Sequence, residues 1–465
     1  MPRSLPHPVI VVPGITATNL DDAYTLPPET VWSVMTNNFE RISLHPDHIA
    51  QAADAPAKDR PDRLFEAAQP SRVMPSALFE VAYRELIAEL RYGLTDRPDR
   101  PVPVYPFGYD WRQPLALVEA QLAEFIHEVI ERTKLLRHYD ADGYADDPKV
   151  NLVGHSMGGL IIAGCVGTLG NKSRVHKVAT LATPYQGSFE AVIKVITGTA
   201  DLGTSPPSSR EREAARLTPA LYHLMPSFAG SLSPEPGWSG PTSLFDPGAW
   251  QPAVLETITE YIKARGLNRK QPKVQAAQVF AHLLAEARRH RGRIDALQLS
   301  SAGLSANDWL CVVGVGATTR VRLAITRSAA KPAPGAPAGA EFRLSSKDRM
   351  DQWSATPQPG KDARLTGDGT VPYRGAVPKF LDERNLVCVT PSDYGYWELG
   401  DIALSRAAGF HGMLPNMDMV HRMIIRHFTG RPDRHRNTWG WSAPGVAPGA
   451  WAPPLDLGPA KNIAD

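Results

Sequence analysis

The stretch KVNLVGHSMGGLIIAG, residues 149–164, constrains this chain more than any other. A run of strand-forming apolar residues stops at Gly-His-Ser-Met-Gly-Gly and resumes as an apolar, helix-like segment. Turns that only reverse a chain favour Asn, Asp and Pro. This one sets Ser156 between Gly154 and Gly158, the pattern G-x-S-x-G. In a nucleophile elbow the backbone turns sharply from strand into helix, and the serine takes a strained conformation. Side chains two residues before and after it would collide, hence the glycines. The turn lifts the hydroxyl above the sheet edge and sets it at a helix N-terminus, where free N–H groups favour developing negative charge. A glycine-rich nucleotide turn would instead read G-x-G-x-x-G, with no central serine.

A serine hydroxyl attacks poorly until a histidine takes its proton and a carboxylate orients that histidine. The chain order for such a fold is Ser, then Asp or Glu, then His. Four histidines follow the last predicted strand: His421 and His427 fall inside a predicted helix, and His435 in a basic polar stretch. His411, in AAGFHGMLPN, sits in a Gly-flanked loop between the last strand and last helix, where the base belongs. For the acid, LTGDGTVPY brackets Asp368 with Gly367 and Gly369, allowing a tight turn that aims one carboxylate inward. An ordinary Asp-Gly hairpin turn is an equal reading of those residues alone. Asp308 precedes its strand, Asp393 follows the last strand, and Asp362 and Asp382 lie in charged, surface-like contexts. A tetrahedral oxyanion needs two backbone donors. Met157, directly after the nucleophile, is one candidate, and Ile15, in the VVPGIT loop after the first strand, is the other.

Around this centre, apolar runs VIVV, VPVY, KVNLVG, HKVATL, WLCVVG and NLVCV read as buried strands. Helical spacing predicts helices over 76–93 (with Leu78, Val81, Leu86, Ile87 and Leu90 on one face), 114–136, from Met157 onward, and 416–428. Strands alternating with helices predict an α/β fold, a mostly parallel sheet wrapped by helices. Residues 19–75 are polar and Pro-rich, a lid-like insertion. From 195 to 305 the strand rhythm gives way to helical patterns, and about a hundred residues cannot be bare loop, so a largely helical cap is expected. RVRLAITRS and AEFRLSS alternate like a hairpin around AAKPAPGAPAGA. The expected division is a core over 1–194, the cap over 195–305, the rest of the core over 306–440, and an irregular tail over 441–465, too rich in Pro and Gly to need structure.

The formal net charge of +2 gives no electrostatic case for nucleic acid. Three cysteines sit in apolar runs, as buried free thiols of a reducing compartment do. The N-terminal apolar stretch is too short for a signal core, and no window is long enough to span a membrane. A cytoplasmic enzyme without metal or cofactor is the expectation, with transient membrane-surface contact where a lipid is the substrate.

With these residues in view, the chain resembles the lecithin:cholesterol acyltransferase-like family of α/β-hydrolases, which includes lysosomal phospholipase A2-type enzymes and bacterial homologues. The matching pieces are VIVVPGITATNL, YDWR (109–112), GHSMGG (154–159), ATPYQGS, TPALYHLMPS, GDGTVP (367–372) and HGMLPN (411–416), in the family's order. The resemblance implies a triad of Ser156, Asp368 and His411 and an oxyanion hole from the Ile15 and Met157 amides; Asp110 and Arg112 in YDWR read as a structural charged pair supporting the loops, ahead of substrate ligands. Trp32 falls where family members carry a lid tryptophan, and Trp238 and Trp250 are candidates for an acyl pocket or for core. The family's secreted members carry a leader and a lid disulfide, and neither is visible in this chain. The expected activity is a serine-dependent lipid acyl hydrolase or O-acyltransferase acting through an acyl-enzyme, with water or an alcohol as acceptor. A plain lipase or carboxylesterase using water alone is the alternative, and a non-catalytic hydrolase-fold binding protein the remaining one.

Overall fold

A computed structural model of the chain describes residues 5–36, 39–54, 64–199, 207–267, 270–327, 342–350, 362, 364 and 366–457. Its strands are β1 (Val9–Val12), β2 (Thr18–Asp22), β3 (Glu29–Trp32), β4 (Val73–Leu78), β5 (Val104–Pro106), β6 (Val150–His155), β7 (Val175–Leu181), β8 (Leu232–Pro234), β9 (Trp309–Gly314), β10 (Thr319–Arg327), β11 (Phe342–Met350) and β12 (Leu386–Val389). Six of them form the central sheet in the order β12-β9-β7-β6-β1-β5, with every neighbouring pair parallel. The expected α/β-hydrolase architecture, a mostly parallel sheet wrapped by helices, is the one observed.

The sheet is buried on both faces, which is why its strands read as unbroken apolar runs. In β1, Val9 and Val11 face a layer with Leu86, Leu90, Val420 and Ile424, while Ile10 and Val12 face Val118, Leu122, Leu160 and Ile161 on the other side. From β1 the chain goes to β5 at one edge, then returns across β1 to β6 and continues outward through β7, β9 and β12. The strand order therefore reverses between β1 and β6. Open α/β sheets place their sites in the crevice beyond the carboxyl ends of strands at such a reversal. The loop after β1 and the elbow after β6 flank that crevice.

The helices at 115–134, 157–169 and 418–429 lie where helical spacing placed them. The predicted helix over 76–93 does not start at 76: residues through Leu78 form β4, paired with β2, and the helix runs Glu80–Leu94. Its buried face is Ala82, Tyr83, Leu86, Leu90 and Leu94, with Val81 turned to solvent. The segment between β1 and this helix carries its own small sheet, β3-β2-β4, and the helix Pro46–Asp54. Trp32 is buried there, edge-on to Trp111 at 5.3 Å between ring centroids. Between β7 and β9 stand the helices Ser209–Leu217, Pro219–His223, Pro252–Arg265 and Pro272–Asp295. The last packs on the helix Met157–Leu169. Trp250 is core, edge-on to Phe280, while Trp238 is partly buried. The predicted hairpin is present as antiparallel β10 and β11, and its AAKPAPGAPAGA connection lies outside the described residues. Among the described residues no helix is long and apolar enough to cross a membrane.

The segment after residue 440 is irregular, but through residue 457 it is docked, contrary to the expectation that it needs no structure. The Trp441 amide and carbonyl bond to those of Cys388 on edge strand β12, at 3.0 and 2.8 Å. The Trp439 and Trp441 indoles donate to Asp393, and the Trp451 indole donates to the Leu386 carbonyl. The buried Trp441 indole and the half-buried Trp439 and Trp451 indoles, each with its N–H satisfied, outweigh the local effect of proline and glycine.

Candidate functional site

Ser156 adopts φ 54° and ψ −126°, a left-handed conformation for a residue with a side chain. Such strain is of order ~1–3 kcal/mol and persists only where surroundings enforce it. Here they do. The Ser156 amide donates to the Leu181 carbonyl on β7 at 2.8 Å. A Cβ on Gly154 would lie 2.8 Å from the Gly159 nitrogen, and one on Gly158 would overlap the Val12 carbonyl oxygen. Both glycines of the motif are required by close approach.

The elbow holds the Ser156 hydroxyl 2.9 Å from Nε2 of His411, and Nδ1 of His411 lies 2.7 Å from Oδ2 of Asp368. A carboxylate only accepts, so the His411 proton sits on Nδ1 and the Nε2 lone pair faces the hydroxyl. Asp368 is set by its loop: Oδ1 accepts from the amides of Thr370 and Val371 at 2.9 and 2.7 Å. Gly369, at φ 96°, makes the turn, and its amide donates to the Thr319 hydroxyl. The His411 amide donates to the Asp368 carbonyl at 3.1 Å, tying the two loops by backbone as well as side chain. His411 follows Gly409, whose φ of 97° ends the helix Leu399–Ala408 and starts the short turn carrying the imidazole. The structure thus brings together Ser156, Asp368 and His411, more than 200 residues apart at the extremes.

The two candidate oxyanion donors lie on the loops flanking the crevice. Met157 opens the helix after Ser156, so its amide is one of the unpaired N–H groups of a helix start. Ile15 follows Gly14, where a Cβ would lie 3.1 Å from Cβ of Ser156. Among the described residues, neither the Ile15 nor the Met157 amide has an acceptor.

The remaining carboxylates and imidazoles weighed from the sequence have other partners. Asp308 caps Ser305, Asp362 pairs with Arg364, Asp382 caps the turn at Arg384, and Asp393 accepts from Thr390 and the two indoles. His421 bonds the Pro415 carbonyl at 2.7 Å, His427 faces the Asp308 carbonyl, and His435 is exposed. Asp110 and Arg112 form a buried bidentate pair at 2.7 and 2.8 Å. Arg112 also donates to the Ile42 carbonyl, and Gln113 exchanges hydrogen bonds with the backbone of Phe65. The Asp110–Arg112 pair therefore anchors the insertion that follows β1, while Tyr109 of the same segment donates to the Pro13 carbonyl on the loop after β1.

Sequence reasoning passed over His155 and Tyr83. His155, read only as a spacer within the motif, is buried: its Nε2 lies 3.0 Å from the His411 carbonyl and its Nδ1 2.7 Å from the Tyr83 hydroxyl. Burial, with the His411 imidazole beside it, holds its pKa well below the ordinary histidine value. Tyr83 is absent from the helical face expected from spacing, although it shares the observed buried face with Leu86 and Leu90.

Residues 97–263 match the model of the lecithin:cholesterol acyltransferase family, a stretch that takes in YDWR and GHSMGG and ends before the loops of Asp368 and His411. No curated protein matches the chain. Among solved structures it is similar to a chain in the crystal structure of the Tle4–Tli4 complex, at 16% identity and a TM-score of 0.55, over 92% of this chain and 98% of that one. At that identity the likeness speaks for the fold. The resemblance to the lecithin:cholesterol acyltransferase-like α/β-hydrolases, read from the motifs, is borne out by the family match over residues 97–263.

Proposed function

We propose that the chain is a serine-dependent lipid acyl hydrolase or O-acyltransferase that works through an acyl-enzyme. The observation that carries this reading is the unbroken hydrogen-bond line from Asp368 through His411 to Ser156, at 2.7 and 2.9 Å, on a strained elbow. The family match supports an acyl ester of a lipid as substrate.

Ser156 attacks the ester carbonyl while His411 Nε2 takes its proton. Asp368 holds the imidazolium through Nδ1 and keeps the ring in the productive tautomer. The Ile15 and Met157 amides stabilise the oxyanion of the tetrahedral intermediate. His411 then returns the proton to the leaving alkoxide as the acyl-enzyme forms. Water or an alcohol, deprotonated by the same imidazole, attacks the acyl carbonyl, and the second intermediate collapses to release Ser156. A fluorophosphonate probe tests the reading: it labels the wild-type protein and fails to label Ser156→Ala. Labelling that persists in Ser156→Ala places the nucleophile elsewhere.

A further inference from the structure

Behind the Ser156–His411 pair, three hydrogen bonds, two of them buried and the third partly so, run in series between segments distant in the chain. The Gly14 amide donates to the Tyr83 hydroxyl at 2.9 Å, that hydroxyl lies 2.7 Å from Nδ1 of His155, and Nε2 of His155 lies 3.0 Å from the His411 carbonyl. With His155 neutral, only one set of protons fits. A carbonyl can only accept, so Nε2 of His155 carries hydrogen. Its Nδ1 is then the lone pair of a neutral ring, and the Tyr83 hydroxyl must donate to it. A lone pair on the same phenol oxygen receives the Gly14 amide. The line is therefore polarised in a single direction from Gly14 to Tyr83 to Nδ1, and its other end grips the backbone of His411. Burial, with the His411 imidazole next to it, favours that neutral form of His155.

We propose that Tyr83 and His155 are positioning residues, which hold the Gly14–Ile15 loop and the His411 backbone in register with the Ser156 hydroxyl. This rests on the reading of Ser156 as nucleophile. The Tyr83 phenol orients the peptide immediately before Ile15 by its hold on the Gly14 amide. Gly14 is committed to Tyr83, so its amide is not the one that serves an oxyanion, and the Ile15 amide next to it is the candidate on that loop. His155 is adjacent to Ser156 in the chain, so the same ring that fixes His411 is carried by the elbow itself. Apolar residues of similar shape would fill positions 83 and 155 without the desolvation cost of a phenol and an imidazole. Replacing both partners of a buried hydrogen bond in that way is often close to neutral for stability. What the polar tips add is a fixed geometry across three segments.

The test is acylation by a soluble short-chain ester and by a fluorophosphonate, with rates expressed per labelled Ser156. In Tyr83→Phe the acylation rate falls by ~10–100-fold while KM moves by less than about twofold, the scale expected for misaligned donors. His155→Gln behaves alike. The double variant is no slower than the slower single one, because both changes cut the same line. Undiminished acylation in Tyr83→Phe, or losses that multiply in the double variant, overturns the proposal. Wild-type protein that fails to label at Ser156 overturns the nucleophile assignment, and this proposal with it. Nitrogen-15 histidine spectra of the wild-type protein read the line without mutation and so decide the matter even if the variants fold poorly. His155 should be neutral with hydrogen on Nε2 at pH 7, given that its surroundings disfavour the cation. A His155 that is charged at pH 7, or carries its hydrogen on Nδ1, overturns the proposal.

Discussion

Gly314 and Asp368 meet so closely that a Cβ on the glycine would lie 2.5 Å from Cβ of the aspartate. The carboxyl end of β9 thus accepts the acid loop only because residue 314 has no side chain. Gly314→Ala should push Asp368 outward while leaving the sheet intact. A displacement near 1 Å at a reacting group costs about 100-fold in rate. Ester turnover measured beside the circular dichroism spectrum checks this: a ~100-fold loss of kcat with an unchanged fold is expected.

Asp368→Asn should cost far more than its small change of shape implies. Oδ1 of Asp368 is claimed by the Thr370 and Val371 amides, so the side-chain oxygen of the asparagine stays there and its NH2 group is turned toward His411. Two donors then face each other unless the ring moves its hydrogen to Nε2, where it can no longer accept from Ser156. A wrong tautomer of this kind lowers kcat by ~10⁴-fold. Steady-state kinetics on a chromogenic ester measures it, and a loss under tenfold contradicts the assignment.

Arg112→Met should act on stability before it acts on rate. The change leaves Asp110 buried without its guanidinium and frees the Ile42 carbonyl. Removing one member of a buried ion pair typically costs about 3–5 kcal/mol. Urea denaturation should show a loss of that size. An unchanged midpoint would mean that the pair contributes nothing to anchoring the insertion after β1.

Stability should fall as the solution is acidified from neutrality. His7, His176 and His427 are each pushed down to about 4, by burial first, with His176 and Lys149 adding to it at His7 and Lys177 at the other two. In the unfolded chain each takes up a proton near pH 6.5. Between about pH 6.5 and 4 the unfolded state therefore binds more protons, so stability is full above that window and declines through it as pH drops. Urea midpoints from pH 7.5 to 4.5 check this. A profile flat down to pH 5, above the range where carboxylates protonate, contradicts it.

Much of the fold was legible because its long elements are strongly patterned. The strands buried on both faces, β1, β6, β7, β9 and β12, stand out as apolar runs, and the helix Leu115–Lys134 keeps its period over 20 residues. Ser156 and His411 could be named because a serine elbow and a Gly-flanked histidine each leave a local mark, whereas the turn around Asp368 reads equally as a hairpin and only the family resemblance singles it out. The β3-β2-β4 sheet left none. Its strands are short, hold Pro75 and Asp21, and owe their form to pairing partners as many as 60 residues away. For the same reason the start of the helix at Glu80 was missed, since β4 takes Leu78 for β2. Tyr83 and His155 were invisible in a different sense: nothing in the spacing of a buried tyrosine says which imidazole it will meet.

The docked segment around Trp441 bears on how the protein can be shortened. Its backbone bonds to Cys388 occupy hydrogen-bonding groups on a strand that ends the sheet, and its indole sits over Asp393. A chain stopped before Trp439 would present β12 as an open template for a second molecule. Light scattering of such a truncation should find self-associated species, whereas a stop after residue 457 should leave a monodisperse sample.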